Sequence, residues 1–150
     1  SIRDKIDNAD FIERCNRYGF ISKELHGGKR PERKNRRLFY GSLLADEPWE
    51  ALEIMAAEVY GVFEAMVFVE FNRTQMFYHR PWRWINQEEK LEQLYGMPRV
   101  HIRAYVNENR KLMALGREHA QRQEILKGWK EMGMTTEDVG ILSDADETFT

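Results

Sequence analysis

One cysteine, Cys15, is the whole thiol content of the chain, so no internal disulfide can form and the cysteine count leaves the redox compartment open. Long apolar runs are missing too. The longest, residues 65–69, is strand-sized and far from the roughly 18 residues that span a bilayer. Charge of one sign is not in excess. Lys and Arg total 23 against 25 Asp and Glu, a net −2, which excludes a general nucleic-acid binder relying on positive charge to displace counterions. The basic stretch 29–37 therefore reads as a solvated loop. Neither repeats nor low-complexity segments occur. The chain has no initiator Met and no signal peptide, and it stops just after an acidic cluster, so it reads as a segment of a longer protein, any membrane anchor lying outside it. What is present is core material. Hydrophobic residues make up 42% and aromatics 12% of 150 residues, enough for one packed domain and too much for a disordered chain.

Helical spacing of Ile6, Phe11 and Ile12 suggests a helix over residues 2–18, followed by a Gly27-Gly28 break. Residues 1–36 form an N-terminal extension and residues 37–150 a βα-alternating region. Leu38–Leu44 reads as a short buried strand. Asp46 is placed to cap a helix over residues 49–60, with Glu47 and Pro48 in its first turn and Gly61 at its end. Trp49, Leu52, Met55, Ala56 and Val59 give that helix its apolar stripe. Ala65–Phe71 is apolar except for Glu70, the pattern of a strand buried on both faces, and completes a βαβ unit whose crossover should be right-handed. A short helix over residues 87–94, a strand over 99–106, a long helix over 108–132 capped by Asn107 and stopped by Gly133, and a last strand over 139–143 follow. The alternation implies α/β with a mostly parallel sheet.

The last strand runs into Asp144-Ala145-Asp146-Glu147. Open α/β sheets bind ligands beyond the carboxyl ends of their strands. An extended continuation would point Asp144 and Asp146 to one side. Two carboxylates about 4 Å apart repel by roughly 4 kcal/mol at an effective dielectric of 20, a penalty that a hard divalent cation such as Mg²⁺ or Mn²⁺ removes. The plain alternative is that either aspartate caps a following turn. Asp144, Asp146 and Thr148 also fit the D-x-D-x-T of haloacid-dehalogenase-like phosphatases, whose first Asp is a phosphorylated nucleophile. The D-x-D of GT-A glycosyltransferases instead holds metal on a sugar-nucleotide pyrophosphate. The phosphatase motif sits on the first strand of its domain, whereas at least three strands precede this one.

Five segments, in order, carry a resemblance: Cys15-Asn-Arg-Tyr-Gly19-Phe20, Leu52-Glu53-Ile54, the strand ending Val69-Glu70-Phe71-Asn72, Glu118-His-Ala-Gln121-Arg122, and Ile141-Leu-Ser-Asp144-Ala-Asp146-Glu147. Together they resemble glycosyltransferase family 17, the β-1,4-mannosyl-glycoprotein 4-β-N-acetylglucosaminyltransferases, from Cys15 to Glu147. The departures are Tyr18 for His, Met55 for Arg, Phe71 for Ser, Gln123 for Asn and Thr148-Phe149 for Ile-Pro, and the loop from Thr74 to Pro81 lacks the family's Gly and Lys.

The resemblance implies the donor-binding part of a GT-A Rossmann-type domain. It implies inverting, metal-assisted transfer of N-acetylglucosamine from UDP-N-acetylglucosamine to a mannose of an N-glycan on a glycoprotein, in the Golgi lumen as part of a type II membrane protein. Mn²⁺ (or Mg²⁺) would rest on Asp146 and Asp144; Glu70, Asn72, Arg122 and Asp144 would face the donor, and the catalytic base would lie beyond Thr150. From the residues themselves, Arg122 suits a phosphate, the acidic cluster or an i,i+4 pair with Glu118. Glu70 inside an apolar strand needs a partner, either nucleotide or a buried Arg. Glu53 reads as structural. The four histidines show no metal spacing, Trp82 and Trp84 suit either sugar stacking or core packing, and the Asn72-Arg73-Thr74 sequon is poorly placed for glycosylation. Besides the phosphatase, an inactive sugar- or protein-binding module of the same fold remains open.

Overall fold

The computed structural model of the chain describes residues 36–145 and Glu147. The expected helix over residues 2–18, the Gly27-Gly28 break, the basic stretch up to residue 35, the Cys15 motif, His26, Asp146 and Thr148 lie outside the described residues.

Four strands form one parallel sheet: β1 (Leu38–Leu44), β2 (Ala65–Phe71), β3 (Arg99–Tyr105) and β4 (Val139–Leu142), in the spatial order β3-β2-β1-β4. Every position of β2 is buried, as a continuous apolar run demands when both faces are covered. The period of two sorts the side chains. Tyr40, Leu44, Met66, Phe68, Val100 and Ile102 enter one core, and Phe39, Ala65, Val67 and Val69 the other.

Helices α1 (Trp49–Val59) and α2 (Glu88–Tyr95) cover the first face, and α3 (Ala114–Glu131) the second. Gly61, at φ +68°, follows the end of α1, and Gly133, at φ +84°, follows that of α3; each supplies the left-handed turn that a side chain resists. Among the described residues no helix is long and apolar enough to cross a membrane.

Two helix starts differ from expectation. Asp46 does not cap α1: Pro48, locked at φ −67° with extended ψ, takes the cap position, and the Asp46 carboxylate accepts from Arg80 Nη2 at 2.8 Å. Asn107 does not cap α3, which begins at Ala114 rather than 108. Asn107 Oδ1 accepts the Asn109 N–H and Asn109 Oδ1 the Lys111 N–H, both at 3.0 Å. These local side-chain turns offer the backbone an alternative to helix and delay its start.

Helix α3 lies unusually close to the sheet. A Cβ on Gly41 of β1 would stand 2.1 Å from Ile125 Cγ2, and one on Gly128 of α3 would stand 2.6 Å from Val67 Cγ1. The Trp129 indole N–H donates to the Tyr40 carbonyl at 2.8 Å across the same interface. Edge strand β4 is fastened by Arg37, whose guanidinium grips Asp138 Oδ1 and Oδ2 at 3.0 and 2.7 Å. That fork, with the Thr135 N–H, holds the Asp138 carboxyl well below the usual carboxylate range.

Candidate functional site

The chain places β2 and β3 on one side of β1 and then returns to lay β4 on the other. The order therefore reverses between β1 and β4, and beyond the carboxyl ends of such a pair an α/β sheet opens its crevice. The residues there are Ser42 and Tyr40 from β1, Ser143 and Asp144 after β4, Glu147, and Arg122 reaching in from α3.

Arg122 bridges two carboxylates. Its Nε donates to Glu118 Oε1 and its Nη2 to Asp144 Oδ1, each at 3.0 Å, so both residue-level readings of Arg122 as a protein partner hold at once. Asp144 remains 56% exposed in this pair. An ion pair so open to water contributes at most about 1 kcal/mol.

After Asp144 the chain turns rather than continuing the extended strand. The Glu147 N–H donates to the Asp144 carbonyl at 3.1 Å, and the Glu147 carboxylate accepts the Ser143 hydroxyl at 2.9 Å and the Asp144 N–H at 3.2 Å. The Asp144 and Ser143 donors hold Glu147 below its ordinary pKa. Ala145 is buried in the core beneath the turn. The Tyr40 hydroxyl donates to the Asp144 carbonyl at 3.4 Å, and burial pushes it up to about 12, so it stays a neutral donor at ordinary pH.

Glu70 is fully buried, and its partners are backbone N–H groups rather than an arginine side chain. Its Oε1 accepts the Arg83 N–H at 2.5 Å and its Oε2 the Trp84 and Ile85 N–H groups at 3.0 Å each. The carboxylate ties residues 83–85 to the sheet. Asn72 is committed on both ends of its amide, accepting the Asn107 N–H at 2.9 Å and donating to Glu108 at 3.2 Å. At 7% exposure it is a poor glycosylation acceptor.

Trp84 is buried and stacks on Trp49 with ring centroids 6.1 Å apart, while Trp82 is exposed. Glu53 accepts the Trp49 indole N–H at 2.7 Å, the structural role read from sequence. Among the described residues no group of three or more His, Cys, Asp or Glu converges as a metal site. Asp144 Oδ2 carries no hydrogen bond among the described residues, and an exposed carboxylate oxygen beside a second aspartate in sequence is the donor chemistry of hard cations.

Sequence reasoning passed over Ser143, Glu147 and Tyr40, which shape the turn that presents Asp144. An acid four residues after a serine was the available signal for Glu147. Comparison with protein-family models, curated proteins and solved structures finds no match to this chain.

Proposed function

We propose that the chain is the donor-binding part of a GT-A-type glycosyltransferase that moves N-acetylglucosamine from UDP-N-acetylglucosamine to a mannose of an N-glycan. The observation that carries this reading is the pairing of Arg122 with Asp144 at the β1/β4 reversal, where a parallel sheet receives nucleotides. Diphosphate release builds negative charge, and a guanidinium fork already aimed at a carboxylate oxygen is suited to take a phosphate oxygen in its place. Asp144, once released, accepts ribose or sugar hydroxyls or faces a cation. Mn²⁺ or Mg²⁺ held by Asp144 and Asp146 would supply neutralisation of the diphosphate charge. The Ser143–Glu147 contacts keep the Asp144 backbone in place while its side chain changes partner. Glu70 and Asn72 support this end of the sheet from beneath rather than by presenting free polar atoms. The phosphatase alternative is disfavoured by position, because its motif belongs to the first strand of a domain and three strands precede β4.

The test is calorimetric titration of the full chain with UDP, with and without Mn²⁺. Metal-dependent binding is expected, weakened about tenfold or more by Asp144→Asn and by Arg122→Gln. UDP affinity absent or indifferent to metal overturns the donor assignment.

A further inference from the structure

The loop between β2 and α2 builds a second polar corner at the same end of the sheet. Arg73 and His79 bridge across it; the Thr74 N–H donates to the Tyr78 carbonyl at 2.8 Å and the Phe77 N–H to the Thr74 carbonyl at 2.9 Å. Phe77 at the tip has φ +69°, a conformation uncommon for an aromatic residue. Three guanidiniums surround its ring: Arg73, Arg110 and Arg117 lie 4.9, 5.4 and 5.6 Å from the centroid.

Arg117, in the first turn of α3, is 92% buried by the 8% of it that is exposed, yet no carboxylate pairs with it among the described residues. Its two terminal nitrogens donate to the carbonyls of Leu112 and Gln75. Glu108, on Arg73, is the carboxylate that the corner supplies. Three guanidiniums against that one acid leave a local charge of +2. Among the described residues the buried side-chain polar atoms without a partner are Arg73 Nε, Asn107 Nδ2 and Arg117 Nε. All three are N–H donors, and all three belong to this corner, because Asn107 is tied to Asn72 and so to the Glu108 that holds Arg73. Buried donors are normally satisfied, and a buried cation lacking a counter-charge is costly.

We propose that this corner is a binding site for a doubly charged oxyanion of the phosphate class, held by the Nε–H groups of Arg73 and Arg117, the Asn107 amide and the Arg110 charge. Such a group offers oxygen acceptors to the orphaned donors of this corner and cancels the +2 excess, and tetrahedral oxygens accept guanidinium forks from several directions. The site lies at the ends of β2 and β3, on the opposite side of β1 from the β4 crevice, and stands without the glycosyltransferase reading.

The experiment is a titration of the full chain with inorganic phosphate against chloride at fixed ionic strength, following arginine Nε–Hε resonances by NMR. Saturable shifts are expected at Arg73 and Arg117 and none at Arg99, whose guanidinium donates to the Met132 carbonyl. Arg110→Gln, at an exposed position, and Arg73→Gln should each weaken phosphate by about five- to tenfold with the circular dichroism spectrum retained. Lys130→Gln, at an exposed position in the last turn of α3, should leave phosphate affinity unchanged. No saturable shift, a shift confined to Arg122, or affinity kept within twofold in both the Arg73 and Arg110 variants overturns the site. Competition by UDP names the source: displaced phosphate assigns the nucleotide's own diphosphate and retained phosphate a separate phosphoryl group, and both uphold the site.

Discussion

Replacing Glu70 with glutamine keeps its shape and removes its charge. Oε2 accepts two backbone N–H groups and Oε1 one, so the amide oxygen of Glu70→Gln best occupies the Oε2 position. Its NH₂ then faces the Arg83 N–H, donor against donor. One buried donor left orphaned costs about 1–3 kcal/mol, and the two remaining bonds fall from charge-assisted to neutral strength, a further loss of roughly 1 kcal/mol. The expected destabilisation is about 3 kcal/mol, a large share of a marginal domain's stability. Urea unfolding followed by tryptophan emission measures it, since Trp84 sits within the tethered segment. In native buffer the emission should shift to the red as the 83–85 segment loosens. A midpoint unchanged within about 0.5 kcal/mol would refute the tether. If UDP affinity were lost at the same time, Glu70 would return to the donor-facing role that its place in the strand first suggested.

Gly41→Ala should destabilise by about 3 kcal/mol, the upper part of the overpacking range, because its methyl would meet Ile125 at 2.1 Å and the Trp129 ring at 2.9 Å; denaturant titration checks it, and recovery in Gly41→Ala/Ile125→Val would locate the clash. The Arg37–Asp138 fork makes stability acid-sensitive. A carboxyl depressed in the folded state contributes fully above its unfolded pKa near 4, and that contribution is lost as pH falls through the lower folded value. Unfolding midpoints compared at neutral and strongly acidic pH should therefore fall less in Asp138→Asn than in the parent chain.

Periodicity made the sheet and its helices legible because burial acts on every second or every third and fourth residue alike. The errors came where one residue type serves two local purposes. Asn107 suits a helix cap and an Asx turn equally, and its neighbour Asn109 tips the choice toward turns. Asp46 suits a cap until Arg80 arrives from a loop beyond the next strand. Glu70 announced that it needed compensation, yet its partners are backbone groups of a later loop, and backbone donors leave no trace in side-chain identity. The same holds for the Phe77 corner. Its arginines come from β2's exit, the loop after β3 and the start of α3, and no spacing rule links them. At the β4 end, Asp144 and Arg122 were readable as chemistry, but their 3.0 Å contact is a product of the sheet order.

The close seating of α3 makes that helix a fixed rule. It carries Arg117 in its first turn and Arg122 five residues on, about 7.5 Å further along the axis at 1.5 Å per residue. Sliding or rolling the helix would drive Ile125 into the Gly41 backbone or Val67 into that of Gly128, so the backbone spacing of the two arginines is fixed and only their side chains can adjust to a ligand. A molecule that reaches both must span a distance set by the helix to within the reach of two side chains, and the protein would discriminate among such molecules by length.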